Sequence, residues 1–283
     1  MESFWFQYES SLRWGLLLGA FGVFAVWETL RPRRALAAPT ARRWAGHTLL
    51  SFLNGTASAW IFRASAVVIA SAVSSSHYGL LNRQSLPSWA RCLLAVLLID
   101  LLYWGQHYAY HSVSFLWRVH QVHHSDPDYD WSTGLRFHPL EVVITHGSYL
   151  AVIALVAPPP IAVLGFELAD VVLNIFVHAN VTLPGWMETL LRCFLITPDM
   201  HRIHHSDQLR EQNTNFGVIF SCWDRLFGTY LQDPTRGHAE MGVGLPEVSI
   251  EQGANVWNML ATPFLRRAGS DVSGAVAVLR SGD

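Results

Sequence analysis

Eight of the 14 histidines fall in three tight clusters: His107 and His111, then His120, His123 and His124, then His201, His204 and His205. HQVHHSD (His120 to Asp126) is nearly repeated as HRIHHSD (His201 to Asp207), 81 positions later. His107 and His111 are four apart, so on a helix both face one side. The two triplets are spaced i, i+3, i+4 and would each cover an arc of about 100°. The sequence thus describes three helical surfaces, each offering two or three imidazoles. A structural zinc takes four ligands and usually mixes thiolate with imidazole; a haem takes one or two axial histidines. Eight imidazoles are too many for one ion but suit two ions with four or five nitrogens each. Imidazole suits zinc, copper, iron and nickel.

The elements that hold these clusters are apolar. Hydrophobic residues make up 51% of the 283 and charged residues only 14%, against roughly 25% charged in an ordinary soluble domain. The balance points to lipid. Every one of the 19 basic residues is arginine, the net charge is -2, and no general basic patch suggests nucleic acid as a partner. Cys92, Cys193 and Cys222 are widely spaced and read as small buried apolar residues in a reducing compartment, not as a disulfide frame or zinc site.

The chain reads as an all-α, polytopic membrane helical bundle with about four to five membrane segments. Leu12 to Leu30 reads as a retained span, not a cleaved signal peptide. His47 to Val73, interrupted by Asn54 and Arg63, is a second apolar stretch, and Trp89 to about Tyr108 a third. Leu140 to Ala157 and Ile161 to Leu183 follow, joined by three prolines as a hairpin that need not fully penetrate; a full span needs about 20 residues. The loop Arg31 to Arg43 carries five arginines, which marks it as cytoplasmic. Counting spans from that loop brings all three histidine clusters to the cytoplasmic face, as a helical cap. The expected organisation is one integral-membrane domain: membrane segments over 1–89, the histidine core over 90–232 and a cytoplasmic tail over 233–283. The stretch Ala254 to Arg267 is amphipathic and suits a membrane surface.

Metal ligands beside acyl chains favour chemistry on lipid. The lipid reaction that needs two redox metals is oxygen activation to break an unactivated C–H bond. HYAYH, HQVHH and HRIHH resemble the boxes of the fatty acid hydroxylase and sterol desaturase superfamily of membrane di-iron enzymes. The flanking segments LRFHPLE (Leu135 to Glu141), FVHANVTLPG (Phe176 to Gly185) and NFGVIFSCWDRLFGTY (Asn215 to Tyr230) are similar too. The resemblance covers roughly 90–232 and is specific for the superfamily, not for substrate. It implies two iron ions, dioxygen as co-substrate, a lipid substrate and electrons from an external donor. A separate redox partner, cytochrome b5-like or ferredoxin-like, is expected, because the chain shows neither the HPGG haem motif nor a ferredoxin-like cysteine set. The resemblance also adds His178 to the ligand set, although Thr182 stands where an HxxxH partner would be, and makes His138 a recurrent family position more often beside the ligands than among them. Hydroxylation and desaturation share such a site.

An acid inside a membrane span is a functional candidate by default. Asp100, seven residues before His107, could reach a ligand on another helix or pair with Arg63. Asp170, Asn174 and His178, spaced by four, form a polar stripe. Ligating imidazoles need partners for their second nitrogen, so Asp126, Asp207 and Asn180 are further outer candidates; Asp126 and Asp207 read equally as polar loop residues. Asn213, Asn215, Asp224 and Arg225 are expected to brace the cap, the last two in buried polar contacts. His47, His77, His146 and His238 read as ordinary polar or interfacial residues, and Trp104, Trp117, Trp131 and Trp186 as interfacial belt or pocket wall. Two other classes fit membrane histidines: a divalent-metal transporter, with ligands near mid-membrane along a path, and a non-enzymatic haem protein.

Overall fold

The computed structural model describes residues 7–76 and 78–265. Among them every regular element is helical, and β structure is limited to the isolated bridges Leu195–Phe220 and Ser206–Val243. Five helical segments are long and apolar enough to cross a membrane. Helix α1 is Glu9–Leu30. The second segment is two helices, α2 (Thr40–Phe62) and α3 (Ala66–Ser74). The break is local: Arg63 adopts a left-handed conformation (φ 52°) that ends α2, and Ser65 restarts the chain by accepting a bond from the backbone N–H of Val68. Helix α4 is Ser88–Ser112. Helix α5, Ser114–His124, lies outside the spans. Helices α6 (Pro139–Val156) and α7 (Pro160–His178) both begin on proline, where the missing N–H costs nothing.

The fifth span ends at His178, five residues before the sequence-based boundary at Leu183. Ala179 turns extended, and the backbone N–H of Asn180 donates to Glu28 on α1 instead of continuing the helix. The short α3 packs against both α6 and α7, and α1 runs along α7. Their shared core includes Val67, Ile99, Tyr149, Ile153, Val163 and Phe166. Outward faces stay apolar: Leu18, Val26, Phe52, Trp60, Leu93 and Leu155 are all exposed, as expected where lipid is the solvent.

At one end the interior becomes polar. There α1 ends, α2 begins, α4 ends, α6 begins and α7 ends. Short helices α8 (Gly185–Leu191), α9 (Pro198–His204), α10 (Leu209–Gln212) and α11 (Cys222–Phe227) build the cap. Arg43, fully buried, donates to both oxygens of Asp126 at 2.8 Å and to Asp130 at 2.5 Å. Glu28, also buried, accepts from the backbone of Trp131 and Asn180. These ties bind α1 and α2 to the loop after α5. The 31–43 loop therefore lies on the same end as the histidine clusters.

The tail does not run free of the bundle. Met259 packs against Leu50 and Val122, and the Gly253 carbonyl accepts from Arg136. Trp257 and Phe264 remain exposed; Arg266 and Arg267 lie outside the described residues. Two of the three cysteines depart from expectation: Cys193 and Cys222 are exposed and only Cys92 is partly buried. Exposure on an apolar surface costs a thiol little, so composition did not constrain them.

A candidate dinuclear metal centre

The histidine clusters converge. His107 and His111 end α4, the 120–124 triplet ends α5, His178 ends α7, and the 201–205 triplet ends α9. Nine side chains form two adjoining groups: His107, His111, His120, His124 and His204, and then His123, His178, His201 and His205. Within each group one ring nitrogen per residue lies within 4.8 Å of all the others. Eight of the nine are no more than 4% exposed, and His107 borders a cavity. Each HxxHH triplet is divided between the groups. His120 and His124 go one way and His123 the other; His204 goes one way and His201 and His205 the other.

Hydrogen bonds set the tautomers. Nδ1 of His107 donates to the Phe216 carbonyl (2.9 Å), Nδ1 of His204 to Thr214 (2.8 Å) and Nδ1 of His178 to Asn174 (2.7 Å). A carbonyl can only accept, so Nε2 in each ring carries a bare lone pair. His120 is pinned likewise, Nδ1 lying 2.6 Å from Glu141 Oε1. The Nε2 atoms of His107, His120, His204 and His205 are buried and meet no hydrogen-bond partner among the described residues. Elsewhere Nε2 meets Nε2: His111 with His124 at 3.1 Å, and His178 with His123 at 3.2 Å and with His201 at 3.0 Å. With metal–nitrogen bonds of about 2.1 Å, ligands at right angles stand about 3.0 Å apart. Converging lone pairs in a dry interior are tolerated only around a cation. The residues present fit two metal ions with five and four nitrogens.

Protonation favours the same use. Burial, then the neighbouring imidazoles, holds His123, His124, His201 and His205 well below the ordinary histidine range; burial takes His204 down to about 3. All five are neutral at pH 7 and free to ligate. Trp117 and Phe137 wall the site: Phe137 stacks on His123 with centroids 4.5 Å apart, and Trp117 lies 4.9 Å from His111.

Most of the outer candidates bond elsewhere than to the histidines. Among the described residues Asp100 bonds neither Arg63 nor a histidine; it accepts from the backbone of Ile219 and Phe220 and from Trp223. Asp126 spends its oxygens on Arg43 and Thr133. Asp207 faces Arg236 at 3.6 Å and packs on Gly242. Asn180 exchanges bonds with the backbone of Arg34. His138 caps α6, accepting from Leu140 N–H at Nδ1 while Nε2 donates to Leu260. Asp170 lines the cavity and bonds to no histidine among the described residues. Asn174 does serve the site, through its backbone carbonyl. Asp224 is buried, as expected, and accepts from Trp104, Phe216 and Gly217, while Asn215 ties Met200 to Leu231. Arg225 is exposed over the Tyr230 ring instead of buried. His47 is not interfacial: it is buried between Ser132 and Arg136. His146 lines the cavity, and His77 lies outside the described residues. Trp104, Trp117 and Trp131 are core residues; Trp186 is exposed.

The residue the sequence reading passed over is Glu141. Its only signal was its place at the start of α6, in the HPLE segment, where an acid stabilises a helix anyway. The supporting carbonyls of Phe216 and Thr214 carry no side-chain signature at all.

The family model described as Fatty acid hydroxylase matches residues 92–229, which hold eight of the nine converging histidines in their boxes and His178 between them. Residues 92–229 are a fatty acid hydroxylase domain. Curated relatives of the domain include human alkylglycerol monooxygenase, 31% identical over 48% of this chain and 29% of its own length. The Rhizobium tropici ornithine lipid hydroxylase OlsE is 26% identical over 66% of this chain and 54% of its own. Human cholesterol 25-hydroxylase is 24% identical over 48% of this chain and 50% of its own. The chain therefore spans between 29% and 54% of the length of these relatives. No solved structure gives a significant match.

Proposed function

We propose that this chain is a multi-pass membrane hydroxylase that uses two irons and dioxygen to oxidise a C–H bond of a fatty acyl, sterol or related lipid. The observation that carries this reading is the pair of five- and four-imidazole groups beneath a membrane cavity. The relatives, named as monooxygenases or hydroxylases of lipids, support the same reaction class. When bound, two irons supply the reduction of dioxygen and the oxidising power that breaks the C–H bond.

The chain's own residues do the rest. His107, His111, His120, His124 and His204 hold one ion, and His123, His178, His201 and His205 the other. Carbonyls of Phe216, Thr214 and Asn174 and the carboxylate of Glu141 keep four rings aimed inward. Glu141 has a second oxygen, Oε2, with no hydrogen-bond partner among the described residues, and it lines the cavity. Buried aromatic walls exclude bulk water and hold the substrate carbon still. Electrons come from a separate partner of cytochrome b5 or ferredoxin type. The arginine-rich 31–43 loop shares the end of the bundle with the metal centre, which supports a cytoplasmic face for the histidine boxes.

Comparative lipidomics of cells with and without the gene, with metal analysis of the purified protein, tests the reading. A lipid that gains one oxygen only when the gene is present supports hydroxylation, and a loss of two hydrogens redirects it to desaturation. An unchanged lipid profile together with iron-free protein sinks it.

A further inference from the structure

A cavity of about 290 Å³ leads from the metal centre between α4, α6 and α7. A channel for a bare hydrocarbon chain would be apolar beyond the histidines. This one carries hydrogen-bond acceptors. Gln106 borders it with its amide orientation set: Nε2 donates to Ser148 Oγ at 2.5 Å and lies 3.4 Å from the Thr145 carbonyl. The Ser148 hydroxyl donates to the backbone carbonyls of Ile144 and Thr145, so its oxygen is free to accept. Gln106 Oε1 is left buried with no partner among the described residues.

Asp170 borders the same cavity, and no hydrogen bond or ion pair reaches it from another described residue. Its charged neighbours, Asp100 and Glu167, are carboxylates themselves. Asp100 is occupied by three N–H donors, and Glu167 by Arg13. A carboxyl group within a membrane span is costly and calls for a partner; among the described residues the phenols of Tyr103 and Tyr149 are neighbours, but no hydrogen bond or ion pair reaches it. The two acceptors line the same cavity. Asp170 lies eight residues, roughly 12 Å, along α7 from His178. Thr145 and Ser148, which hold Gln106, stand roughly 6 and 10 Å along α6 from Glu141.

We infer that Asp170 and Gln106 bind a hydrogen-bond donor of the substrate, a hydroxyl or an ammonium group, in the cavity that leads from the metal centre. This inference rests on the lipid-hydroxylase reading and narrows its substrate class. A fatty carboxylate would bring a further acceptor to Asp170 and Gln106, so this pair disfavours free fatty acids, although Tyr103 and His146 line the same cavity.

The test uses the full chain, iron-loaded, in phosphatidylcholine nanodiscs, with hexadecane, hexadecanol, hexadecylamine and hexadecanoate as probes and binding read by native mass spectrometry. Probe partition into the bilayer is common to all variants, so differences between variants report the cavity. Wild-type protein is expected to bind hexadecanol and hexadecylamine about tenfold more tightly than Asp170→Leu does. Hexadecane and hexadecanoate binding should be no weaker in that variant. Asp170→Asn is expected to keep the alcohol and lose the amine, and as a near-isostere it carries the test if the leucine variant does not fold. Iron content should be unchanged in both. Alcohol and amine binding that survive Asp170→Leu overturn the inference while leaving hydroxylation intact. Failure of all four probes to bind wild-type protein overturns the lipid reading of the cavity as well.

Discussion

His120 and Glu141, on different helices, meet at 2.6 Å between Nδ1 and Oε1. The contact determines which nitrogen of His120 faces the metal centre. Losing such a support typically costs 10- to 100-fold in metal affinity. Glu141→Ala should therefore weaken iron binding about 10- to 100-fold in a chelator competition, while Glu141→Gln, which still offers an oxygen to Nδ1, should lose less. Equal losses in the two variants would contradict the positioning role.

The division of the triplets makes two substitutions inequivalent. His204→Ala removes a ligand from the five-membered group and His123→Ala from the four-membered one. Each variant should retain about half the iron of the wild type by elemental analysis, and the pair combined close to none. Unchanged iron in both single variants would refute the assignment.

Acid should destabilise the metal-free fold through these same rings. His123, His124, His201, His204 and His205 are held neutral by burial, while in the unfolded chain each takes up a proton near pH 6.5. The folded pKa is depressed, so the unfolded state binds more protons below that value. Stability is full above about pH 6.5 and is lost as the pH falls toward about 3, where His204 finally protonates in the fold. The thermal midpoint of chelator-treated protein should drop between about pH 7 and pH 5. A flat midpoint would mean that the rings are not buried as described.

Arg43 neutralises Asp126 and Asp130 with all three at most 2% exposed. Arg43→Met would strand two buried carboxylates. Removing one partner of a buried pair costs about 3–5 kcal/mol, so the variant should unfold at markedly lower temperature and express poorly. Adding Asp126→Asn and Asp130→Asn should restore part of the loss. A single variant as stable as wild type would show that the network is solvated.

Much of the site was legible because it is written in local spacing. An i, i+3, i+4 pattern puts rings on one helical face whatever the rest of the chain does, and a run of apolar residues near 20 long reads as a span without any partner. Eight of the nine converging histidines and the four to five apolar segments follow from such local rules, and the shared end of the bundle follows from counting spans. His178 stands alone in its segment and needed the likeness of FVHANV to a known family. What the sequence could not specify is which ring faces which. The partition of each HxxHH between two groups depends on how α4, α5, α7 and α9 cross. The same holds for the carboxylates. Asp100, Asp126 and Glu141 are alike as letters, yet one holds a cap backbone some 120 residues away, one an arginine on α2, and one the imidazole of His120. A side chain's partner is set by contacts distant in sequence, and no local periodicity encodes those; only the packed structure decides them.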